Sequence, residues 1–268
     1  MPNSVFIWKK FSVFICQNLS LLFYHSQYYD TLKLIALLFA SIILWTFAAK
    51  NQANILWFII IGSLSIRFIV KNKNVEKKDV LIGVTFGSIS VLSSPVEGVF
   101  TILAYIGATS VFKNSNNKII LFKKNRNVLG ALSLIIVNGG LLGVINLILA
   151  VLQNIQVNFS LNIYWVLRAF NAGIAEEILF RFLFFAVCIR IVKDKQLSKL
   201  QSFIIYLIMV VPHTLIHFNL DTFNFQIVVV LCLLFGLPFA ILQRRRDLLS
   251  AIGAHTIVDI IRFCVFGV

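Results

Sequence analysis

Charge is what this sequence has least of. Only 13% of its 268 residues are Asp, Glu, Lys or Arg, where a soluble domain carries roughly a quarter. With 59% hydrophobic residues and a mean hydropathy of +0.92, there is too little polar surface to cover a globule in water. Lipid must therefore be the solvent for most of the chain. Acidic residues are scarcer still, 10 against 24 Lys and Arg, for a net charge of +14. In a soluble protein that balance would suggest a nucleic-acid partner. Here the basic residues sit in short loops between apolar runs, where they set membrane orientation and meet anionic headgroups, so no nucleic acid is expected and membrane lipid is. Four cysteines, Cys16, Cys188, Cys232 and Cys264, lie far apart with no CxxC spacing, which excludes a zinc knuckle and a disulfide framework and leaves buried small hydrophobes. A cleavable leader is not expected either. Lys9 and Lys10 precede an apolar stretch from Phe11 to Tyr24, but Gln17, Asn18 and His25 interrupt it and no small-residue cleavage site follows. An interfacial helix anchored by Trp8 and the lysines fits that stretch better. No internal repeat or low-complexity tract is evident, and the loops are too short for a soluble domain.

What the sequence has in quantity is long apolar runs. About 20 such residues cross the hydrocarbon core as a helix. Spans are expected near Leu32–Ala49, Ile55–Val70, Val128–Leu152, Ile163–Ile191, Leu200–Phe218, Phe225–Leu242 and Leu248–Phe266. Between them Val80–Phe112 is apolar but broken at Ser93-Ser94-Pro95, which reads as two short helices in a tight hairpin because proline cannot continue the ladder. The expected fold is an all-α, polytopic transmembrane helical bundle of about eight or nine spans. Basic clusters at Lys9-Lys10, Lys71 to Lys78, Lys113 to Arg126, Arg190 to Lys199 and Arg244 to Arg246 alternate with loops free of Lys and Arg. That alternation puts the N-terminus and every basic loop in the cytoplasm. The lysine-rich stretch Lys113 to Asn127 divides the chain into an N-terminal membrane region, 1–127, and a C-terminal domain, 128–268, which is richer in intramembrane ionisable groups.

Each ionisable group in the hydrocarbon core costs at least about 2.5–3.5 kcal/mol on insertion scales and so asks for a reason. The run Asn171 to Arg181 holds three, Glu176, Glu177 and Arg181, and two of the chain's four glutamates are adjacent there. Glu177 and Arg181 are at i, i+4 on one helical face, in the better order for an ion pair. Glu176 is rotated by about 100° and left without that partner. Arg181 can hold one carboxylate as the anion while the other takes and gives a proton, a division suited to acid–base chemistry on water. The plainer alternative is a buried pair that fixes packing beside an inert Glu176. On the next span His213 and His217 share a face after Pro212, which should loosen the helix and free backbone groups. On the last span Asp259 is placed to hold His255 in one tautomer, or else to pair with Arg262. From the basic side, at 1.5 Å per residue, Glu176 lies about 20 Å deep, His217 about 25 Å and His255 about 10 Å. Convergence therefore requires tilted or broken helices, with Pro212 and Gly253 as the places for it.

These residues in this order resemble the CAAX-processing and bacteriocin-processing (CPBP, or Abi) intramembrane proteases, whose motifs are EExxxR, FxxxH and HxxxN or HxxxD on successive helices. Glu176, Glu177 and Arg181 meet the first, and His255 with Asp259 meets the third. For the second, His217 places His213 where phenylalanine is expected, and His213 places Met209 there. His217 is preferred because Phe218 and Asn219 follow it. The resemblance covers roughly Val128 to Phe266 and implies packed helices around a polar catalytic cavity. It implies Glu176 as general base assisted by His217, support from Glu177 and Arg181, and an oxyanion site at His255 and Asp259. Its implied substrate is a peptide or protein, lipidated in the eukaryotic relatives, which trim prenylated tails. Bacterial relatives are linked to bacteriocin immunity and peptide maturation. Members are often labelled metalloproteases, and two histidines with a glutamate suit zinc, but no HExxH occurs and metal-free, glutamate-activated water is expected. A non-catalytic immunity or scaffold protein is the main rival. A proton-coupled transporter is the second, disfavoured by the lack of an inverted repeat. The Lys-, Asn-, Ile- and Phe-rich composition points to a bacterial cell membrane as the location.

Overall fold

The computed structural model describes residues 3–123, 127–193 and 196–267, with side chains from residue 27 onward. Among the described residues every regular element is helical. They are α1 (Asn3–Asn51), α2 (Ile55–Asn72), α3 (Lys77–Val91), α4 (Pro95–Phe112), α5 (Val128–Leu152), α6 (Ile163–Glu176), α7 (Leu183–Val192), α8 (Lys199–Leu215), α9 (Phe225–Leu231), α10 (Leu237–Arg245) and α11 (Leu248–Phe266). Two π-helical turns, Glu177–Phe182 and Cys232–Gly236, join α6 to α7 and α9 to α10. The expected interfacial stretch Phe11–Tyr24, with Cys16, lies outside the described side chains.

Six segments are long and apolar enough to cross a membrane: Gln27–Asn51, Ile55–Asn72, Pro95–Phe112, Val128–Leu152, Phe225–Arg245 and Leu248–Phe266. Their outward faces carry large apolar side chains such as Phe39, Ile43, Ile59, Ile136 and Leu141, which lipid would cover. The protein is an integral membrane helical bundle. The span expected at Phe225–Leu242 runs on to Arg245 and is not one regular helix, because the π turn at Cys232–Gly236 divides it.

The proline-marked hairpin forms as its sequence requires. Pro95 opens α4 at its first turn, where a missing N–H costs nothing, and Ser94 accepts from the Glu97 amide at 3.4 Å. Gly87 and Gly98 let the two arms touch, since a Cβ on either would sit 2.7 Å from the other's carbonyl oxygen. Gly173 does the same for α6 and α11, where a Cβ would fall 2.2 Å from Thr256 Oγ1. That close approach, one turn before Glu176, lets α11 bring His255 to the glutamates.

The core is centred on the π turn and α7, which are buried on every side as a helix enclosed by others must be. The N-terminal helices supply part of that enclosure. Tyr105 stacks on Phe182 at 5.6 Å, and Trp57 meets Phe180 edge-on at 5.7 Å.

The basic loops share one face of the bundle. Lys113, at the end of α4, reaches Glu76 at 2.9 Å and Asp79 at 2.6 Å at the start of α3. Lys78 and Lys113 hold the Glu76 carboxyl down to about 2. Leu248 N donates to Ile120 O at 2.9 Å. Arg244 reaches Ser202 Oγ at 3.1 Å. The opposite face is closed by neutral contacts, with Trp45 Nε1 donating to Phe218 O at 3.0 Å and Ser160 N to Cys264 O at 2.8 Å.

Candidate active site

The sequence-expected residues converge. Glu176, Glu177, Arg181, His213, His217, His255 and Asp259 form one cluster where α6, α8 and α11 meet the π turn. The expectation of a regular α-helix through the glutamate pair needs correction, because the backbone is π-helical from Glu177 to Phe182. Such turns recur at functional sites, and they release carbonyls from the α ladder. Gln243 Nε2, from α10, donates to the Glu177 carbonyl at 3.1 Å.

The two glutamates live in different surroundings. Glu177 is wholly buried and pairs with Arg181, itself 1% exposed, and its Oε1 also meets His255 Nδ1 at 2.9 Å. Glu176 keeps 24% of its side chain exposed and gathers the three histidines on one oxygen. His213 Nε2 lies 2.6 Å from Glu176 Oε2, His255 Nε2 3.6 Å and His217 Nε2 3.9 Å.

Three expectations shift. His217, preferred as the partner of Glu176, is the most distant of the histidines and is 48% exposed, whereas His213 is in hydrogen-bond contact. The depth arithmetic carried this signal. Four residues at 1.5 Å place His213 about 6 Å shallower than His217, level with Glu176. Asp259 does approach His255, with Oδ2 3.4 Å from Nε2, but the nearer carboxylate is Glu177 on Nδ1. The N-terminal region also contributes, since Asn171 Nδ2 donates to Glu97 Oε2 at 2.5 Å. Glu97 stands within electrostatic range of Glu176. Its only sequence sign was a glutamate in the first turn after the Ser-Ser-Pro break. Pro212 does not end α8, which continues to Leu215, but it gives no ladder donor to the carbonyl four residues before it.

The contacts fix the histidine tautomers. A guanidinium only donates, so His213 Nδ1, 2.9 Å from Arg181 Nη2, is an acceptor. The ring hydrogen of neutral His213 is then on Nε2, donated to Glu176. A carboxylate only accepts, so His255 carries hydrogen on Nδ1 toward Glu177, and its Nε2 faces Glu176 and Asp259. Phe239 stacks on the His255 ring at 4.6 Å and holds its plane.

One acceptor glutamate, a hydrogen-donating histidine and a second histidine across from it form a set for moving protons at a carbonyl. Residues 158–261 match the family model described as type II CAAX prenyl endopeptidase Rce1-like. This region is similar to the CAAX-processing protease family. The match spans every cluster residue from Glu176 to Asp259 and supports CAAX-type intramembrane protease activity. No curated protein and no solved structure matches the chain.

Proposed function

We propose that the protein is an intramembrane endopeptidase in which Glu176 activates water for attack on a peptide carbonyl. The observation that carries this reading is the contact of 2.6 Å between His213 Nε2 and Glu176 Oε2, on the only partly exposed carboxylate of the pair. His213 donates to one oxygen of Glu176 and orients it, leaving the other oxygen to take a proton from water. The water oxygen bonds to the carbonyl carbon, and the proton moves to Glu176. The tetrahedral intermediate then collapses, the C–N bond breaks, and Glu176 returns the proton to the leaving amine nitrogen. His255 stands across the cluster with Nδ1–H anchored on Glu177. A proton on its Nε2 has Asp259 and Glu176 to hold it, and that N–H is the donor for the developing oxyanion. Asp259, as a carboxylate, positions this donor and does not itself bind the oxyanion.

Zinc is the competing chemistry. Glu176, His213 and His217 each offer an atom within 4.8 Å of the others, the ligand number of a catalytic zinc site. The donor chemistry does not fit. With Nδ1 accepting from Arg181, His213 has hydrogen where the metal would need a lone pair. No step is therefore assigned to a metal.

The substrate in this reading is a peptide or protein segment at the membrane, and lipidated tails and bacteriocin precursors both fall within it. The test is cleavage of a quenched peptide library by detergent-purified protein, wild type beside Glu176→Gln, with and without chelator and with metal analysis of the pure protein. Cleavage that survives chelator and falls by at least about 100-fold in the variant is the expected result. Loss with chelator turns the assignment to zinc. A folded wild type that cleaves nothing turns it to an immunity or scaffold protein.

A further inference from the structure

Every cluster residue from Glu176 to Asp259 lies within the matched region, 158–261, but one polar contact to α6 comes from outside it. Asn171, five residues before Glu176, is buried to 7% exposure, and its Nδ2 donates to Glu97 Oε2 at 2.5 Å. Its Oδ1 has no hydrogen-bond partner among the described residues, so the bond to Glu97 is the one that satisfies this buried amide. Arg168 shares that face of α6, three residues before Asn171, and stands within electrostatic range of Glu97. The helix thus offers a donor and a cation to one carboxylate. The mount under Glu97 is rigid. Pro95 opens α4, Ser94 Oγ accepts from the Glu97 amide at 3.4 Å, and a Cβ on Gly98 would sit 2.7 Å from the Gly87 carbonyl oxygen. A side chain held by a capped and packed helix start can fix what it binds.

Rotation matters at this place. Glu176 is the last residue of α6, and the backbone turns π-helical at Glu177, where the regular ladder no longer sets the angle between successive side chains. After the break, Gln243 holds the Glu177 carbonyl at 3.1 Å. Before it, Gly173 sets how close α6 comes to α11, and the bond to Glu97 sets which way α6 is turned. The contact of 2.6 Å between Glu176 Oε2 and His213 Nε2 depends on that turn. At a radius of about 5–6 Å from the helix axis, a rotation of about 10° moves a carboxylate by about 1 Å, and a misplacement of that size can cost about 100-fold in rate.

We infer that Glu97 is a positioning residue of the active site, supplied by the N-terminal region: through Asn171 it fixes the rotation at which α6 presents Glu176 to His213 and His255. The inference rests on the protease reading for its effect on rate, but the placement of Glu176 is a property of the fold. It makes the hairpin of α3 and α4 part of the catalytic unit and not a separate membrane module.

Detergent-purified full-length variants test it by cleavage kinetics, by melting temperature and by the maleimide labelling rate of a Glu176→Cys probe above the wild-type background. Glu97→Leu should lower kcat by about tenfold to 100-fold with KM nearly unchanged, and should change the labelling rate of the probe. Glu97→Gln keeps an acceptor for Asn171 and should bring both readouts back close to wild type. Because Glu97→Leu strands the Asn171 amide, the control is Glu97→Leu combined with Asn171→Leu. With both partners apolar the melting temperature should recover while kcat stays low. A double variant that cleaves like wild type reduces the pair to packing and overturns the inference. A Glu97→Gln variant as impaired as Glu97→Leu overturns it too, since charge and not the bond would then matter. Wild-type protein that cleaves nothing removes the protease reading, and the labelling rates then decide alone. A rate that Glu97→Leu leaves unmoved removes the positioning role.

Discussion

Two adjacent glutamates meet opposite fates in this protein. Glu177 is wholly buried, and Arg181 and His255 both meet its Oε1. Glu176 keeps a quarter of its surface exposed and collects three histidines. The lesson is that side-chain chemistry is assigned by surroundings. The buried carboxylate is committed to an ion pair, because releasing a charge in a medium of low dielectric is costly. The partly exposed one has room for water and a partner that donates to it. The committed pair also sets the tautomers of two of the three histidines that face Glu176, since Arg181 meets His213 Nδ1 and Glu177 meets His255 Nδ1.

The largest effect should come from breaking the buried pair. Arg181→Met leaves Glu177 buried without its cation and should cost about 3–5 kcal/mol, seen as a collapse in folded yield and melting temperature. Combining it with Glu177→Gln should restore much of the fold but not cleavage, because His213 is then no longer held in its tautomer and His255 faces a neutral amide in place of a carboxylate. Recovery of both would reduce the pair to packing alone. Next come the histidines of α8. His213→Ala should lower cleavage by about 100-fold or more, the size of a lost acid–base partner, and His217→Ala by much less. The reverse order would return the role to His217. The smallest effect lies outside the site, on the basic face. Lys113→Met removes a cation that holds Glu76 near 2. A lowered carboxylate pKa stabilises the fold above the unfolded value of 4.5, and that contribution is lost as pH falls through about 2. The variant's melting temperature should therefore fall slightly below wild type at neutral pH, and the gap should close between those values on acidification.

Much of this was legible along the chain. Composition fixed the solvent, and the Ser93-Ser94-Pro95 break marked the hairpin, because proline and its capping serine act locally. The pairing of Glu177 with Arg181 follows from helical spacing. The π turn did not show, since a carbonyl shifted by one residue leaves no mark in residue type. Choosing His213 over His217 needed the depth of α8 against α6, a relation between helices and not within one. Glu97 joined the site across a hairpin that looked separate in sequence.

By itself the sequence determined what is local or compositional: a membrane-bound, all-helical chain, its alternating loops, and the seven ionisable residues that lipid would not tolerate without cause. Only the tertiary structure decided which glutamate keeps some exposure and which histidine touches it. Those depend on the angles and depths at which helices cross. Contacts such as Gly173 against Thr256 set them, and the two partners lie far apart along the chain.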